Sequence, residues 1–240
     1  MDNTVSVGLN RTGLDMAPKA RGTLVEFAQQ EAARAPQDTG AWAQLHKQQA
    51  LEADRVGTVP APAKMKGLAK TALQALKGNK PQVLLDKLGE RLAYERTGVR
   101  LYEALMLKVA AASDGFVPEL DEVRRIRDDE RAHFELLVRA LQQMGADPTA
   151  MTPCADVAGV MAAGHLQVLT DPRTTVSQAL NSMLAVELAD HASWELLIEL
   201  VTETGQQDLV QAFQAAHQVE EEHLQTVRGW LRESVLQEAT

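Results

Sequence analysis

The chain has 240 residues, of which 45% are hydrophobic and only 4% aromatic, and its formal net charge is −9. Its single cysteine, Cys154, excludes an internal disulfide and any metal site built on a Cys-x-x-Cys pair. No apolar run approaches the roughly 20 residues that cross a bilayer, and no signal-peptide core is present, so we expect a cytoplasmic protein.

The first 80 residues predict an N-terminal extension that contains short helices. Turn signals indicate coil over residues 1–22, whereas apolar spacing indicates helices from Leu24 to Arg34 and from Trp42 to Arg55. Residues 63–78 combine an apolar side with a lysine-rich side, which predicts a helix packed on the rest of the protein or on a sister subunit. Contact with a membrane surface is the alternative interpretation of this basic segment.

The charge changes sign at the end of this extension. Residues 1–80 contain 11 Lys and Arg against 7 Asp and Glu, which leaves 13 against 26 for residues 81–240. Such an acidic surface argues against nucleic acid as a partner and is compatible with the attraction of metal cations. We therefore expect two domains that divide near residue 80.

Residues 81–240 predict an all-α, antiparallel four-helix bundle. Apolar residues recur at spacings of three and four, and Pro and Gly fall mainly at a few joints between the periodic segments. The connection after the second helix is too long for a hairpin, and Thr152-Pro153 predicts the start of a helix within it. One long crossover between the second and third helices is therefore expected. The predicted helices span about 81–113, 118–145, 173–204 and 206–237.

Each predicted helix carries an acidic residue on its apolar stripe, and two of them carry a histidine three residues later. Glu187 follows Glu95 by 92 residues, and Glu220-x-x-His223 follows Glu130-x-x-His133 by 90 residues. Glu and His three apart project from one face of a helix. Buried carboxylates need positive charge nearby, and carboxylate with imidazole suits iron or manganese. The candidate metal ligands are Glu95, Glu130, His133, Glu187, Glu220 and His223.

The bundle resembles the ferritin-like superfamily, and its site pattern is similar to those of bacterioferritins, rubrerythrins and their erythrin relatives. The resemblance covers residues 81–237 and rests on Glu95 with Tyr102 seven residues later, on Glu187, and on two longer motifs. These motifs are Asp129-Glu130-x-x-His133 and Glu220-x-x-His223. The resemblance implies that the bundle binds two iron ions, with manganese as a possible replacement.

The resemblance also implies roles for individual residues. Glu95 and Glu187 are expected to be terminal ligands, and Glu130 and Glu220 are expected to bridge the two ions. Tyr102 is expected to lie beside the metals with a hydrogen bond to a bridging glutamate, and we assign it a catalytic role.

Other residues near the motifs are expected to support the site. Asp129 should orient a ligand histidine, whereas Val219 stands where the fourth helix often supplies a second aspartate. Asp190 occupies the place where rubrerythrins add a glutamate, and His191 lies four residues after Glu187. Asp190 and His191 are each either an additional ligand or part of the surrounding core.

The function implied by the resemblance is that of a non-haem oxidoreductase with a di-iron or mixed manganese and iron centre. The reduced metals would react with O2 or H2O2, as in a ferroxidase or a peroxide reductase. Oxygenation of an organic substrate uses the same ligands and is the first alternative. An iron-storage or stress-response role is the second alternative. We also expect a homo-oligomer, specifically a dimer.

Overall fold

The computed structural model describes residues 9–10, 13–14, 26, 39–52, 59, 81–113 and 115–240. Contacts between Cα atoms divide the chain into two units, residues 1–54 and residues 55–240. Residues 60–80, which precede the predicted domain boundary, lie outside the described residues. That boundary therefore stays a prediction.

A short hairpin is present near the start of the first unit. Strands β1 (Leu9–Asn10) and β2 (Gly13–Leu14) pair antiparallel, with Leu9 opposite Leu14 and Asn10 opposite Gly13. The interpretation of residues 1–22 as coil is wrong for these strand residues.

One described helix, α1 (Thr39–Glu52), belongs to the first unit. It begins and ends three residues earlier than the helix predicted from Trp42 to Arg55. Glu26 is helical, but the rest of the predicted helix from Leu24 to Arg34 lies outside the described residues. The same holds for the basic segment at 63–78, so its packing and its alternative membrane contact stay predictions.

Five described helices form the second unit, and they confirm the prediction of an all-α bundle. They are α2 (Pro81–Ala111), α3 (Leu120–Gln143), α4 (Pro153–Thr170), α5 (Val176–Glu203) and α6 (Gln207–Glu238). The ends of the four long helices, α2, α3, α5 and α6, fall within three residues of the predicted ends. Among the described helices, none combines the length and the apolar character that crossing a membrane requires.

The helix ends follow from residues with special backbone preferences. Gly145 and Gly205 have φ angles of 80° and 72°, in a region that favours glycine, and they lie just after α3 and α5. Thr152 caps the start of α4 by accepting a hydrogen bond from the Ala155 N–H at 3.4 Å, and Pro153 follows as the first helical residue. The predicted start of the crossover helix is confirmed.

The packing of the helices places four of them around one core. Helix α2 lies beside α3 and α5, and α6 also lies beside α3 and α5, whereas, among the described residues, no Cα atom of α2 comes within 8 Å of one in α6, and none of α3 within 8 Å of one in α5. The long helices therefore lie at the corners of a square in the order α2, α3, α6, α5. Helix α4 packs outside this square against α2 and α5.

Two apolar clusters fill the bundle. One contains the first halves of α2 and α6 with the second halves of α3 and α5, and the other contains the opposite halves. Helices α2 and α6 therefore run in one direction, and α3 and α5 run in the other. Because α3 and α5 are parallel, the chain must return along the bundle between them. The 18 residues of α4 cover roughly 27 Å of that distance.

Candidate metal centre

The six predicted ligands lie in a layer between the two apolar clusters. They are Glu95 on α2, Glu130 and His133 on α3, Glu187 on α5, and Glu220 and His223 on α6. All six are buried, and none is more than 6% exposed. Their ligand atoms form two groups, each within 4.8 Å: Glu130, Glu187, Glu220 and His223; and Glu95, His133 and Glu220. The structure brings all six together, and these groups could hold metal.

Glu220 belongs to both groups because each of its carboxylate oxygens faces one histidine. Oε1 of Glu220 lies 2.5 Å from His133 Nδ1, and Oε2 lies 3.1 Å from His223 Nδ1. Two further carboxylates are close: Glu95 Oε2 is 3.8 Å from His133 Nδ1, and Glu130 Oε1 is 3.6 Å from His223 Nδ1. The Nδ1 atoms of both histidines therefore point into the acidic layer on either side of Glu220.

The layer contains buried polar atoms without hydrogen-bond partners. They are Glu95 Oε2, Glu130 Oε1 and Oε2, and Glu187 Oε2. His133 Nδ1 and Glu220 Oε1 face each other at 2.5 Å but are not aligned for a hydrogen bond. Buried polar groups are nearly always paired, and an unpaired one costs about 1–3 kcal/mol, or more if it is charged. Such a concentration in one layer is not explained by packing. Oxygen and imidazole nitrogen atoms in this arrangement fit the ligand set of a first-row divalent metal.

Asp129 supports one of the histidines, as the resemblance implied. Its Oδ2 lies 3.2 Å from Nε2 of His223, across the contact between α3 and α6. The same bond lowers the pKa of Asp129, which keeps this carboxyl ionised. Burial alone would lower the pKa of His223, but hydrogen bonds to Asp129, Glu130 and Glu220 raise it, so in the metal-free protein both ring nitrogens carry protons. A metal bound at Nδ1 would take the place of one of them.

Tyr102 lies in the layer, but its partner differs from the expected one. Its hydroxyl donates to Glu187 Oε1 at 2.5 Å, and the whole residue is buried. The resemblance implied a hydrogen bond to a bridging glutamate, whereas Glu187 was expected to be a terminal ligand. This bond occupies one oxygen of Glu187 and leaves Oε2 unpaired.

Arg91 also belongs to the buried layer, which the sequence analysis did not predict. It is only 2% exposed, and its Nη2 donates to Glu95 Oε1 at 2.8 Å and also pairs with Asp190. Trp194 Nε1 donates to the same oxygen of Glu95 at 2.9 Å. Because these donors bind Glu95 Oε1, only Oε2 of Glu95 is available to a cation in the layer. The four-residue spacing of Arg91 and Glu95 was the available signal, but surface ion pairs have the same spacing.

Burial controls the protonation of the layer. Desolvation, together with the charge of Glu220, raises the pKa of Glu187 to about 8. Burial also raises the pKa of Glu95 and that of Glu130. For Glu220 burial acts in the same direction, but contacts with His133 and His223 outweigh it and lower the pKa to about 2. Some of these carboxyls therefore hold protons at neutral pH, and a cation must displace those protons to bind.

The two possible additional ligands lie in different surroundings. Asp190 is buried and reaches the same layer, but it pairs with Arg91. His191 is 20% exposed, and its Nε2 lies 2.9 Å from Glu221 Oε2, outside both groups of the buried layer. His191 therefore lies apart from the predicted ligands, and Asp190 is the ion-pair partner of the buried Arg91 guanidinium.

Comparison of the chain with protein-family models, with curated proteins and with solved structures finds no match. What identifies the buried layer as a candidate metal centre is its own chemistry. Six side chains of ligand type, from four helices, converge at one level of the core. Several of their polar atoms have no other partner.

Gly98 provides the space that Glu130 occupies. A Cβ atom at this position would lie 2.9 Å from the carboxyl carbon of Glu130 and still closer to its Oε2. Glycine inside a helix costs about 0.5–1 kcal/mol relative to alanine, so local helix stability does not favour it here. The absence of a side chain on α2 lets the Glu130 carboxylate lie against the helix backbone.

We predict that Gly98→Ala displaces the Glu130 carboxylate and weakens Mn(II) binding by roughly 10–100-fold, the range typical for changes beside metal ligands. Isothermal titration calorimetry measures the affinity, and circular dichroism checks that the helices are retained. The matched control is Gly229→Ala on α6, where an added Cβ meets no atom within 4 Å. If both variants lose affinity to the same extent, or if neither loses affinity, this role for Gly98 is contradicted.

We predict that the metal-free protein becomes less stable as the pH rises from about 4.5 to about 8. Glu187 has its pKa raised to about 8, above the value of about 4.3 expected in the unfolded chain. The folded state therefore binds this proton more tightly, and the resulting stabilisation is lost as the pH rises through that window. Urea unfolding at several pH values measures the effect.

The matched variant for this test is Glu187→Gln, which keeps the shape of the side chain and removes its titration. Its free energy of unfolding should depend less steeply on pH over the same window. Saturating Mn(II) should also reduce the dependence in the unmodified protein, because the metal replaces the proton. An equally steep dependence in Glu187→Gln would show that this carboxyl does not carry the effect.

Proposed function

We propose that the protein is a ferritin-like oxidoreductase that holds two iron ions, or manganese in place of one or both, and reacts with O2 or H2O2. The observation that carries this proposal is the position of Glu220, whose two oxygens face the histidines of the two ligand groups. A carboxylate placed in this way is suited to bridge two ions. The reaction class is iron(II) oxidation or peroxide reduction.

Charge balance supports a pair of divalent ions. Five carboxylates and one guanidinium are buried among the described residues: Glu95, Glu130, Glu187, Asp190, Glu220 and Arg91. With neutral histidines and ionised carboxylates, the layer has an excess of four negative charges. An isolated buried charge is very unfavourable, so this excess requires compensation. Two divalent cations supply four positive charges.

The two ligand groups also support a division of the ligands between two ions. Glu95 and His133 would bind one ion, and Glu187 and His223 would bind the other. Glu220 would be shared, as its membership of both groups suggests. Glu130 would be the second bridge, because it lies in the group of His223 and also comes within 4.8 Å of Glu95 and Glu220 in a further group.

The direction of the helices supports the ferritin-like part of the proposal. A long crossover between the second and third helices of the bundle is the arrangement of ferritin-like folds. Here α3 and α5 are parallel and are joined through α4. This topology places an identical Glu-x-x-His motif on α3 and α6, which contact each other across the layer.

Two bound redox-active ions would supply the electrons that reduce O2 or H2O2. The chain itself orients the ligands and controls protons. Arg91 and Trp194 hold one oxygen of Glu95, and Tyr102 holds a proton on its hydroxyl oxygen 2.5 Å from Glu187. The apolar clusters on both sides exclude bulk water, which strengthens each electrostatic contact in the layer.

We predict that anaerobic protein loaded with Fe(II) consumes O2 or H2O2 and gains the near-ultraviolet absorption of ferric carboxylate sites. Glu220→Gln should bind iron more weakly by at least roughly 10–100-fold and lose most of this activity, because the bridging charge is removed. An oxygen electrode, stopped-flow absorption and metal analysis measure these quantities. The fold should persist, since the substitution removes a buried charge and keeps the side-chain shape.

The matched control is Glu222→Gln, which changes an exposed glutamate of the same helix, two residues away. It should bind iron and react as the unmodified protein does. If Glu220→Gln keeps full iron content and full activity, the proposed bridge is wrong. If the unmodified protein binds two irons but reacts with neither oxidant, iron storage or a non-catalytic role replaces the proposal.

An apolar cavity near the buried layer supports the oxygenase alternative. The cavity has a volume of about 150 Å³ between α2, α4 and α5, and Gly98, Leu101, Met161 and Ala162 are among its lining residues. It approaches the metal centre at Gly98, against which Glu130 lies. Pockets for drug-sized ligands are usually about 300–1,000 Å³, whereas a cavity of about 150 Å³ can hold benzene or xenon. Its size therefore favours O2, or a small apolar substrate.

We predict that Ala162→Leu, which narrows this cavity, slows the reaction of the reduced protein with O2 without changing its iron content. Ala163→Leu is the control, because this neighbouring residue of α4 is exposed. Incubation with small aromatic hydrocarbons and O2, followed by mass spectrometry, tests the oxygenase alternative. Hydroxylated products that Ala162→Leu abolishes would favour that alternative, and unchanged O2 kinetics in Ala162→Leu would exclude the cavity as a route.

A further inference from the structure

A second cluster of metal-ligating side chains lies on α5 and α6, apart from the buried layer. Its members are His191 and Glu195 on α5 and His217 and Glu221 on α6. Each pair is separated by four residues, so both members project from the same side of their helix. Helices α5 and α6 pack along their length, which brings the two pairs face to face.

His191, Glu195 and His217 each offer a ligand atom that lies within 4.8 Å of those of the other two, and Glu221 lies beside His191. His191 Nε2 lies 2.9 Å from Glu221 Oε2, and His217 Nε2 lies 3.9 Å from Glu195 Oε1. The two imidazole rings are 4.3 Å apart between centroids. Metal–ligand bonds of about 2.0–2.2 Å in a tetrahedron separate neighbouring ligand atoms by roughly 3.3–3.6 Å. The observed distances lie on both sides of this value, so small side-chain movements would complete the geometry.

Two details distinguish the cluster from an ordinary group of surface ion pairs. His217 Nε2 is enclosed by the protein and has no hydrogen-bond partner. Gln225 donates to Glu221 Oε1 at 2.7 Å, which leaves the other oxygen, Oε2, directed at His191. An unpaired imidazole nitrogen and an oriented carboxylate, side by side, are features that a metal ion would use.

We propose that His191, Glu195 and His217 bind one first-row divalent cation at a second, solvent-accessible site, beside which Glu221 lies. Two imidazoles and one carboxylate suit zinc, iron(II) or manganese(II), and three protein ligands leave the fourth tetrahedral position for water or for the Glu221 carboxylate. The carboxylates of Glu195 and Glu221 are about half exposed, so the ion can enter from solvent. This site uses none of the six ligands of the buried layer and does not depend on the proposed oxidoreductase function.

The experiment compares zinc binding by the full-length chain and its variants, with equilibrium dialysis followed by metal analysis. The double variant His191→Ala/His217→Ala should bind one zinc fewer than the unmodified protein, and Glu195→Gln should weaken binding of that zinc at least tenfold. The controls are Glu199→Gln, one turn further along the exposed side of α5, and His165→Ala, whose imidazole contacts Ser182 instead. Both controls should retain the full zinc content.

Glu220→Gln separates this site from the buried one. In that variant zinc should still bind to one site and shift the imidazole resonances of His191 and His217 in nitrogen-15 NMR spectra. The proposal is overturned if the double variant and Glu195→Gln bind zinc as the unmodified protein does, or if zinc leaves these imidazole resonances unmoved. Loss of zinc from the controls to the same extent would also overturn it, because binding would then be non-specific.

Discussion

The excess of negative charge in the middle of the bundle is the constraint on which the rest of the structure depends. Five buried carboxylates face one buried guanidinium, with apolar clusters above and below them. No arrangement of hydrophobic side chains can offset such a charge, because water is excluded from both sides. Protons must do so, on the carboxyls and on His133 and His223, whose pKa values the neighbouring carboxylates raise against the effect of burial, or else cations between the side chains. The proposed metal binding and the release of protons are therefore linked by one electrostatic requirement.

This constraint accounts for the contacts that orient the carboxylates of the layer. Each glutamate has a separate means of orientation: Arg91 and Trp194 hold Glu95, Tyr102 holds Glu187, and the missing side chain of Gly98 admits Glu130. Glu220 has no such donor from outside the layer and is held between the two histidines.

The limits of sequence reasoning at this site have a physical cause. The burial of the six candidate ligands could be predicted because periodicity along one helix determines which positions face the core, and a charged residue on such a position is conspicuous. The partners of Glu95 could not: Arg91 on the same helix has the spacing of a surface ion pair, and Trp194 reaches Glu95 through the rotation of α5 against α2, which is a tertiary property. Nor does the sequence show that His191 and His217 are neighbours. Only the packing of α5 against α6 brings them together. The short hairpin at β1 and β2 was missed because two paired residues leave no periodic pattern.

The adjacent residues Glu220 and Glu221 on α6 face different surroundings, and helix geometry accounts for this. Successive positions of an α-helix are rotated by about 100°, so Glu220 can face the core while Glu221 faces the groove beside α5. On α5, Asp190 likewise faces the core, whereas its neighbour His191 faces Glu221 on α6. A cation in the buried layer must displace protons and lose its water, whereas one at the partly exposed cluster keeps contact with solvent. The first site should therefore exchange its ions slowly and the second rapidly. Because both proposed sites include residues of α5 and α6, a rotation of α5 against α6 would alter the ligand geometry of both at once.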